Sequence, residues 1–324
     1  MYDIETLRNI FTTYLSQSVF KPEPKNLYEP NTYFLQIGGK RLRPTLLLLA
    51  TKLFGGDVEK SLPAALAIEY FHNFTLIHDD VMDNAPVRRG FKTIHTKYNL
   101  NTAILSGDVL LVKAYECLNK IDEKYFKHVF NIYTKTAIEV CEGQQIDIDF
   151  ETQKEVLLEE YIEMIRLKTS VLLGASMQIG AILGGASEKD SALIYTFAEN
   201  IGIAFQIQDD ILDCFGDEAL VGKQPGGDII QNKKTLLLIE ALKRSLQQND
   251  NRLFELIKNE TTNPVEKVAV TKSIFMQYNI KAFGIMHRDA YVQAAMESLQ
   301  NLSLEANKKA VLQGLVQHLV VRDF

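Results

Sequence analysis

The chain has 324 residues, of which 46% are hydrophobic and 23% charged, a balance typical of folded soluble proteins rather than disordered or fibrous ones. Its formal net charge of -6 at pH 7 argues against nucleic acid as a partner. No apolar run approaches the roughly 20 residues that cross a bilayer, and the acidic start does not resemble a signal peptide. We therefore predict a cytoplasmic protein without a transmembrane segment.

The three cysteines, Cys117, Cys141 and Cys214, are odd in number and widely spaced. This pattern fits neither a disulfide framework nor a zinc site. We expect three buried thiols in a reducing compartment.

Helical patterns follow one another along the chain, and strand signals are thin. Apolar helical runs are expected over 64–77, 172–183 and 201–207, and loops over 21–30, 84–92 and 216–234. Length alone favours two domains, yet no break in composition divides the chain. We predict an all-α fold, one large helical bundle that forms a single domain over residues 1–324.

Two acidic motifs of the same form stand at the ends of expected helices, DDVMD at 79–83 and DDILD at 209–213. Residues four apart share a helix face, so the outer carboxylates of each motif repel each other unless a cation lies between them. Magnesium takes one or two carboxylates and completes its shell with waters and substrate phosphates. A lone motif would fit a solvated helix end, but two predict metal sites. The candidate ligands are Asp79, Asp80, Asp83, Asp209, Asp210 and Asp213.

Basic residues recur near these acids in sequence. GGKRLRP at 38–44 combines a flexible backbone with three cations, Arg88 and Arg89 follow the first motif, and Lys168 lies in an otherwise apolar helix. The cations after the second motif are Lys223, Lys233 and Lys234. Arginine forks and glycine-rich backbone suit phosphate oxygens. Acids that hold metal, and cations that hold phosphate directly, together predict two polyphosphate sites of different kinds.

Seven blocks in family order carry a resemblance over nearly the whole chain. They are GGKRLRP, HDDVMDNAPVRRG, LSGDVLL, EGQQIDIDF, MIRLKTSVLLGAS, GIAFQIQDDILDCFGD and GKQPGGDIIQNKKT. On these blocks the chain resembles the trans-isoprenyl diphosphate synthases, the polyprenyl synthetase family.

The resemblance implies an isoprenoid-synthase bundle with a central apolar cavity, working as a homodimer. It implies head-to-tail condensation of isopentenyl diphosphate with dimethylallyl, geranyl or farnesyl diphosphate. The cofactor would be Mg²⁺, about three ions per active site, with Mn²⁺ able to substitute.

The resemblance also implies roles for individual residues. Asp79, Asp83 and Asp209 would ligate magnesium, with Asp80, Asp210 and Asp213 in support. Arg88, Lys168 and Lys233 would contact the allylic diphosphate, and isopentenyl diphosphate would be held by Lys40, Arg43, His72 and Arg89. Thr169 and Gln206 would stabilise charge beside the reacting carbons, Gln144 and Asp147 would support the site, and Lys223 and Arg322 would belong to closing segments.

Product length in the family depends on bulk below the first acidic motif. Phe74 lies five residues before Asp79, Phe71 lies about one turn further, and Thr75 leaves some room. The aromatic pair predicts a short product, C20 or C15, with C20 favoured.

Other functions compete with this one. A longer-chain polyprenyl synthase would share the motifs, and a non-catalytic partner subunit would share the fold but tends to lose an acidic motif. A class I terpene cyclase has no need of GGKRLRP, because it binds one diphosphate. A purely structural bundle would leave the acids and cations unexplained.

Overall fold

The computed structural model describes residues 4–216, 226–258 and 263–320, and these are helical apart from one short hairpin and the connecting loops. Lys223 and Arg322 lie outside the described residues. The first elements are α1 (Ile4–Gln17), α2 (Lys25–Gln36), α3 (Leu42–Leu53), α4 (Val58–Met82), β1 (Val87–Arg88), β2 (Phe91–Lys92), α5 (Ile94–Lys97) and α6 (Leu100–Leu118). Next come α7 (Glu123–Thr152), α8 (Leu158–Ile165), a π-helical turn (Arg166–Ser170), α9 (Val171–Leu183) and α10 (Glu188–Phe215). The last are α11 (Gly227–Ile230), α12 (Leu236–Gln247), α13 (Arg252–Lys258), α14 (Pro264–Gln277), α15 (Ile280–Gln300) and α16 (Ala306–Leu319).

These elements group into two compact units, and the single-domain assignment stays a prediction. Unit 1 takes the described residues of 1–137 and 175–192, and unit 2 takes those of 138–174 and 193–324. In unit 1, α4 packs against α6 and α3, and α1 packs against α3. Helix α3 is buried on all sides from Pro44 to Thr51, which explains its unbroken leucine run.

Helix α4 carries the first acidic motif in unit 1, and its sequence explains where it begins and ends. The Asp57 carboxylate caps its start by accepting from the Glu59 N–H over 3.0 Å. Apolar residues bury α4 on nearly all sides. The helix ends at Met82, inside the acidic motif, and Asp83 is its C-terminal cap.

The core of unit 2 is formed by α8, α10 and α12 to α15. Ile207, Leu236, Ile274 and Ile280 are fully buried there. This core holds the second acidic motif on α10, which continues to Phe215 beyond the motif.

Four expectations about local structure need correction. The loop predicted over 216–234 contains the short helix α11, Gly227–Ile230. The loop predicted over 21–30 ends at residue 24, because α2 begins at Lys25 and keeps Pro30 inside it, where the buried Phe34 face outweighs one lost backbone hydrogen bond. The loop predicted over 84–92 contains the β1–β2 hairpin. Cys117 and Cys214 are buried as expected, whereas Cys141 is exposed, because it falls on the outer face of α7.

Across the described ranges, no helix combines the length and the apolar character that crossing a membrane requires.

Candidate active site

The first acidic motif lies at the C-terminal end of α4, and an arginine joins two of its carboxylates. Arg88 on β1 donates from Nε to Asp80 over 2.8 Å and from Nη2 to Asp79 over 3.3 Å. Asp80 is 2% exposed, and its Oδ2 has no hydrogen-bond partner among the described residues. Burial raises the pKa of Asp80, and Arg88 opposes that rise. Asp80 Oδ2 is therefore available to bind a cation in addition to Arg88.

The hairpin turn brings Arg89 back to the GGKRLRP segment. Arg89 and Gly90 both have positive φ, 53° and 81°, as the two central residues of a type I′ turn do. The Arg89 guanidinium donates to the Gly38 carbonyl. A Cβ on Gly39, whose φ is 146°, would lie 2.6 Å from Arg89 Nη1, so a side chain there would displace the guanidinium. Two predicted phosphate-binding segments, far apart in sequence, therefore meet.

Arg43 and His72 meet beside them, with 3.2 Å between Arg43 Nη1 and His72 Nε2. Burial, followed by the charge of Arg43, lowers the pKa of His72 well below 6.5, so the imidazole is neutral and can accept from the guanidinium. Burial and then Arg41 lower the pKa of Arg89. Crowded arginines of this kind are stabilised by a bound anion, and they need no metal to hold it.

Arg41 is the basic residue of GGKRLRP whose role the sequence did not reveal. Its side chain is buried, and its guanidinium donates to Glu69 on α4 and, over 2.5 Å, to the Leu35 carbonyl. Asn73 donates to the same Glu69 carboxylate over 2.9 Å. Arg41 therefore anchors the segment to α4 instead of facing a ligand, and no periodicity in sequence marks this pairing.

The predicted chain-length residues form an aromatic group on α4. The ring centroids of Phe71 and Phe74 are 5.6 Å apart, and Phe71 also contacts Tyr133 at 5.6 Å. The Phe74 ring lies 4.8 Å from the ring of His78, the residue before the acidic motif. Thr75 donates its hydroxyl to the His72 carbonyl over 2.8 Å. Two aromatic rings, tilted by 52° to each other, thus lie on α4 within about two turns of the acidic motif, and their role in product length stays a prediction.

The second acidic motif lies in unit 2, where Asp210 is buried, Asp213 is half-buried and Asp209 is exposed. It gains two partners that the sequence did not reveal. The Tyr161 hydroxyl donates to Asp210, and the Asp228 N–H donates to Asp213 Oδ2 over 3.0 Å. Burial raises the pKa of Asp210 to about 8, and the charges of Asp228 and Asp209 add to the rise. Burial also raises the pKa of Asp228, which Lys233 opposes. The only sequence signal for Asp228 is its position between two glycines and two lysines.

Lys168 and Thr169 lie on the π-helical turn, a feature that the sequence analysis did not predict. Lys168 Nζ donates to Asp147 Oδ2 on α7 over 2.5 Å, which brings together two residues of separate family blocks. Gln206 lies half-buried on α10, one turn before Asp210. Gln144 lies on α7, one turn before Asp147.

The two adjacent lysines after the second motif have different partners. Lys234 donates to the Phe150 and Gln153 carbonyls at the end of α7, where a cation is favourable because those carbonyls lack helical partners. Lys233 instead lies near Asp210 and Asp228, whose pKa values it lowers. Lys233 is therefore the lysine of this pair that belongs to the acidic site.

The donor set suits a hard divalent ion. Within residues 4–216, 226–258 and 263–320, no three His, Cys, Asp or Glu side chains converge so as to hold a metal by themselves. Magnesium needs no such group, since substrate phosphates and waters complete its shell. The motif aspartates offer carboxylate oxygens of the kind that such an ion binds, and Asp80 Oδ2 is buried without a hydrogen-bond partner among the described residues.

Comparison with known proteins agrees with the motifs. Residues 24–275 match the polyprenyl synthetase family. The chain is 37% identical over 303 residues to the geranylgeranyl diphosphate synthase of Methanosarcina mazei, with 93% of this chain and 91% of that protein covered. It is 44% identical over 241 residues to the short chain isoprenyl diphosphate synthase of Methanocaldococcus jannaschii, with 74% and 73% covered. A crystal structure of a geranylgeranyl pyrophosphate synthase matches with a TM-score of 0.95 at 40% identity, covering 100% of both chains.

Proposed function

The chain belongs to the polyprenyl synthetase family, and on that premise we propose that it condenses isopentenyl diphosphate with allylic diphosphates. The product is a linear prenyl diphosphate of C20 or similar length, and diphosphate is released. The protein is thus a prenyltransferase with the all-α fold of the isoprenyl synthases.

One contrast within the protein carries this proposal. Buried carboxyls with raised pKa values occur at both acidic motifs, in Asp80 and Asp210, whereas Arg43 and Arg89 crowd around a neutral His72. The carboxyls suit a diphosphate that binds through metal, and the arginines suit one that binds directly. Condensation of two diphosphates requires both kinds of site, whereas a cyclase requires only one.

The chain's own residues bind, orient and shield the reactants. We assign isopentenyl diphosphate to Lys40, Arg43, His72 and Arg89, and the allylic diphosphate to Arg88, Lys168 and Lys233. The allylic C–O bond breaks, the double bond of isopentenyl diphosphate attacks the cation, and the departing diphosphate takes the proton that is lost. Thr169 and Gln206 present fixed dipoles to the cation, and apolar walls exclude water.

Magnesium, when bound by the aspartates, neutralises charge on the diphosphate that leaves. The six motif aspartates would hold it: Asp79, Asp80, Asp83, Asp209, Asp210 and Asp213.

The test is an incubation of the purified protein with magnesium and isopentenyl diphosphate. Dimethylallyl, geranyl and farnesyl diphosphate are offered separately, and the dephosphorylated products are identified by mass. We expect elongation ending near C20. Wild-type protein that is folded but elongates none of the three starters would overturn the proposal.

Two aspartate variants sharpen this test. Asp79→Asn and Asp209→Asn should each lower kcat by about 100-fold or more, because each removes a charge that the metal requires. Asp122→Asn is the matched control, since Asp122 accepts from the Lys124 N–H at the start of α7, where asparagine caps equally well. Equal activity in all three variants would contradict the roles assigned to the motifs.

We further propose that the protein works in the cytoplasm as a homodimer. The thiols of Cys117 and Cys214 are buried and unpaired, as in a reducing compartment. Exposed apolar side chains of α6, Leu105 and Val112, support an interface with a second copy.

A further inference from the structure

The chain between α8 and α9 winds as a single π-helical turn, Arg166–Ser170. The Val171 N–H donates to the Arg166 carbonyl five residues back, and the Ser170 hydroxyl donates to the Ile165 carbonyl over 3.3 Å. A π turn holds one residue more than an α-helical turn, is rare, and often marks a functional site. Because regular helix is the default, surrounding contacts must hold this turn in place.

Glycines on two neighbouring helices leave room for the turn. A Cβ on Gly143 of α7 would lie 2.3 Å from the Lys168 nitrogen. A Cβ on Gly202 of α10 would lie 2.8 Å from the Ser170 Cα. Both contacts are with backbone atoms, which cannot swing aside as a flexible side chain can. A side chain at either position would therefore displace the turn.

Polar contacts tie down the start and the middle of the turn. The Arg166 guanidinium donates to Glu163 over 2.7 Å and to Glu199 on α10 over 2.9 Å. Lys168 donates to Asp147 on α7 over 2.5 Å. The turn is thus bonded to the same two helices whose glycines it touches.

The residues of the π turn differ in burial. Leu167 and Ser170 are buried, at 6% and 0% exposure, whereas the consecutive Lys168 and Thr169 are only half-buried. Those two are the residues assigned above to the allylic diphosphate and to the cation. The extra residue of the π turn therefore presents both of them while the flanking residues stay packed.

We propose that the π turn is a device that positions Lys168 and Thr169 for catalysis, and that Gly143 is a positioning residue acting through the Lys168 backbone. This proposal rests on the prenyl transfer proposed above. It adds that the reaction requires five residues in this turn. The turn is then kept for the reaction and not for the stability of the helix.

Deletion of Ser170 tests this directly. Four residues between Ile165 and Val171 fit a regular α-helix, so α8 and α9 keep their places. In the deletion variant Thr169 takes the buried position of Ser170, where it adds only one methyl group. Thr169 is then no longer at its half-buried wild-type position. We expect the deletion variant to fold with a Tm equal to or above that of the wild type. Its kcat should fall by about 100-fold, as misplacement of a catalytic group by about 1 Å can cause. The KM for isopentenyl diphosphate should stay within about twofold, since the residues assigned to that substrate are unchanged.

Ser170→Ala is the matched control, because it keeps five residues in the turn and removes only the hydroxyl. It should retain wild-type kcat. A deletion variant that folds and matches the wild type in kcat would overturn the proposal, as would equal losses in the deletion variant and in Ser170→Ala.

Gly143→Ala decides the matter if the deletion variant does not fold. We expect the Gly143→Ala variant to fold and its kcat to fall by at least about tenfold. Gly314→Ala on α16, where a Cβ would meet nothing within 4 Å, should change neither kcat nor Tm. Wild-type kcat in Gly143→Ala would overturn the positioning role. Wild-type protein that elongates no starter is a different result, which overturns the proposed function itself.

Discussion

At the scale of the residue, His72 shows how burial turns an ordinary titratable group into a fixed acceptor. Neighbouring arginines would repel a protonated imidazole, and Arg43 is 3.2 Å away. A neutral ring keeps Nε2 available to that guanidinium. The arginines keep their charge, which the proposed binding of a diphosphate requires.

The neutral imidazole makes the stability of the protein depend on pH. The unfolded chain binds a proton at His72 near pH 6.5, and the folded chain does so only well below that pH. A lowered pKa contributes stability that is present above 6.5 and lost as the pH falls. Between pH 7.5 and 5.5, the wild type should therefore lose about 1.4 kcal/mol more of its free energy of unfolding than His72→Gln does. Urea unfolding at the two pH values measures this difference.

His128→Gln, at an exposed position on the same unit, is the control for losing an imidazole. It should leave the pH dependence of the wild type unchanged. The interpretation fails if His72→Gln and the wild type lose the same free energy over this range.

At the scale of the element, α4 carries the proposed metal ligands, the proposed substrate contact His72 and the aromatic group on one helix. Asp79 lies five residues after Phe74 and seven after His72 on the same helix. The helical rise therefore fixes the distance from the acids to the aromatic rings. Under the proposed function, we therefore expect a change in ring size on α4 to alter the depth available to the growing chain while the acids keep their places.

Phe74→Ala should lengthen the product by at least one five-carbon unit, because it removes a ring packed between Phe71 and His78. Loss of a buried ring also destabilises a protein by about 3–5 kcal/mol, so folding is checked by circular dichroism before products are identified by mass. Phe283→Ala, the same change on a half-buried ring of α15 in unit 2, should leave product length unchanged. If folded Phe74→Ala makes products no longer than those of the wild type, Phe74 does not limit product length.

At the scale of the whole molecule, an exposed apolar face of α6 supports the proposed dimer. Val112 is 64% exposed and Leu105 is 56% exposed, and they lie seven residues apart on one helix face. Covering them with a second copy would remove apolar surface from water.

Val112→Glu should weaken the dimer by at least about tenfold, because a charge buried without a partner is costly. Sedimentation velocity over a range of concentrations measures this change. Val265→Glu is the control, since Val265 is 79% exposed on α14 in unit 2 and should not affect association. A monomeric wild type, or equal dimers in both variants, would remove α6 from the interface.

The sequence by itself determined the class of fold and predicted the chemistry of the site. Helical periodicity and the two DDxxD motifs depend on neighbours within four residues, and spacing in the chain reports such neighbours directly. The seven ordered blocks did the same for the family, which the comparisons confirm. The alternation of acids and cations predicted polyphosphate binding before any contact was known.

Only the tertiary structure decided which partners these residues have within the protein. Arg41 and Arg43 are two residues apart, yet Arg41 is paired with Glu69 inside unit 1 whereas Arg43 contacts His72. Asp228 and Tyr161 join the second motif through contacts between residues distant in sequence. The π turn exists because Gly143 and Gly202 leave space for it on other helices. Burial and pairing of this kind depend on which helices pack together, and no local pattern in the sequence carries that information.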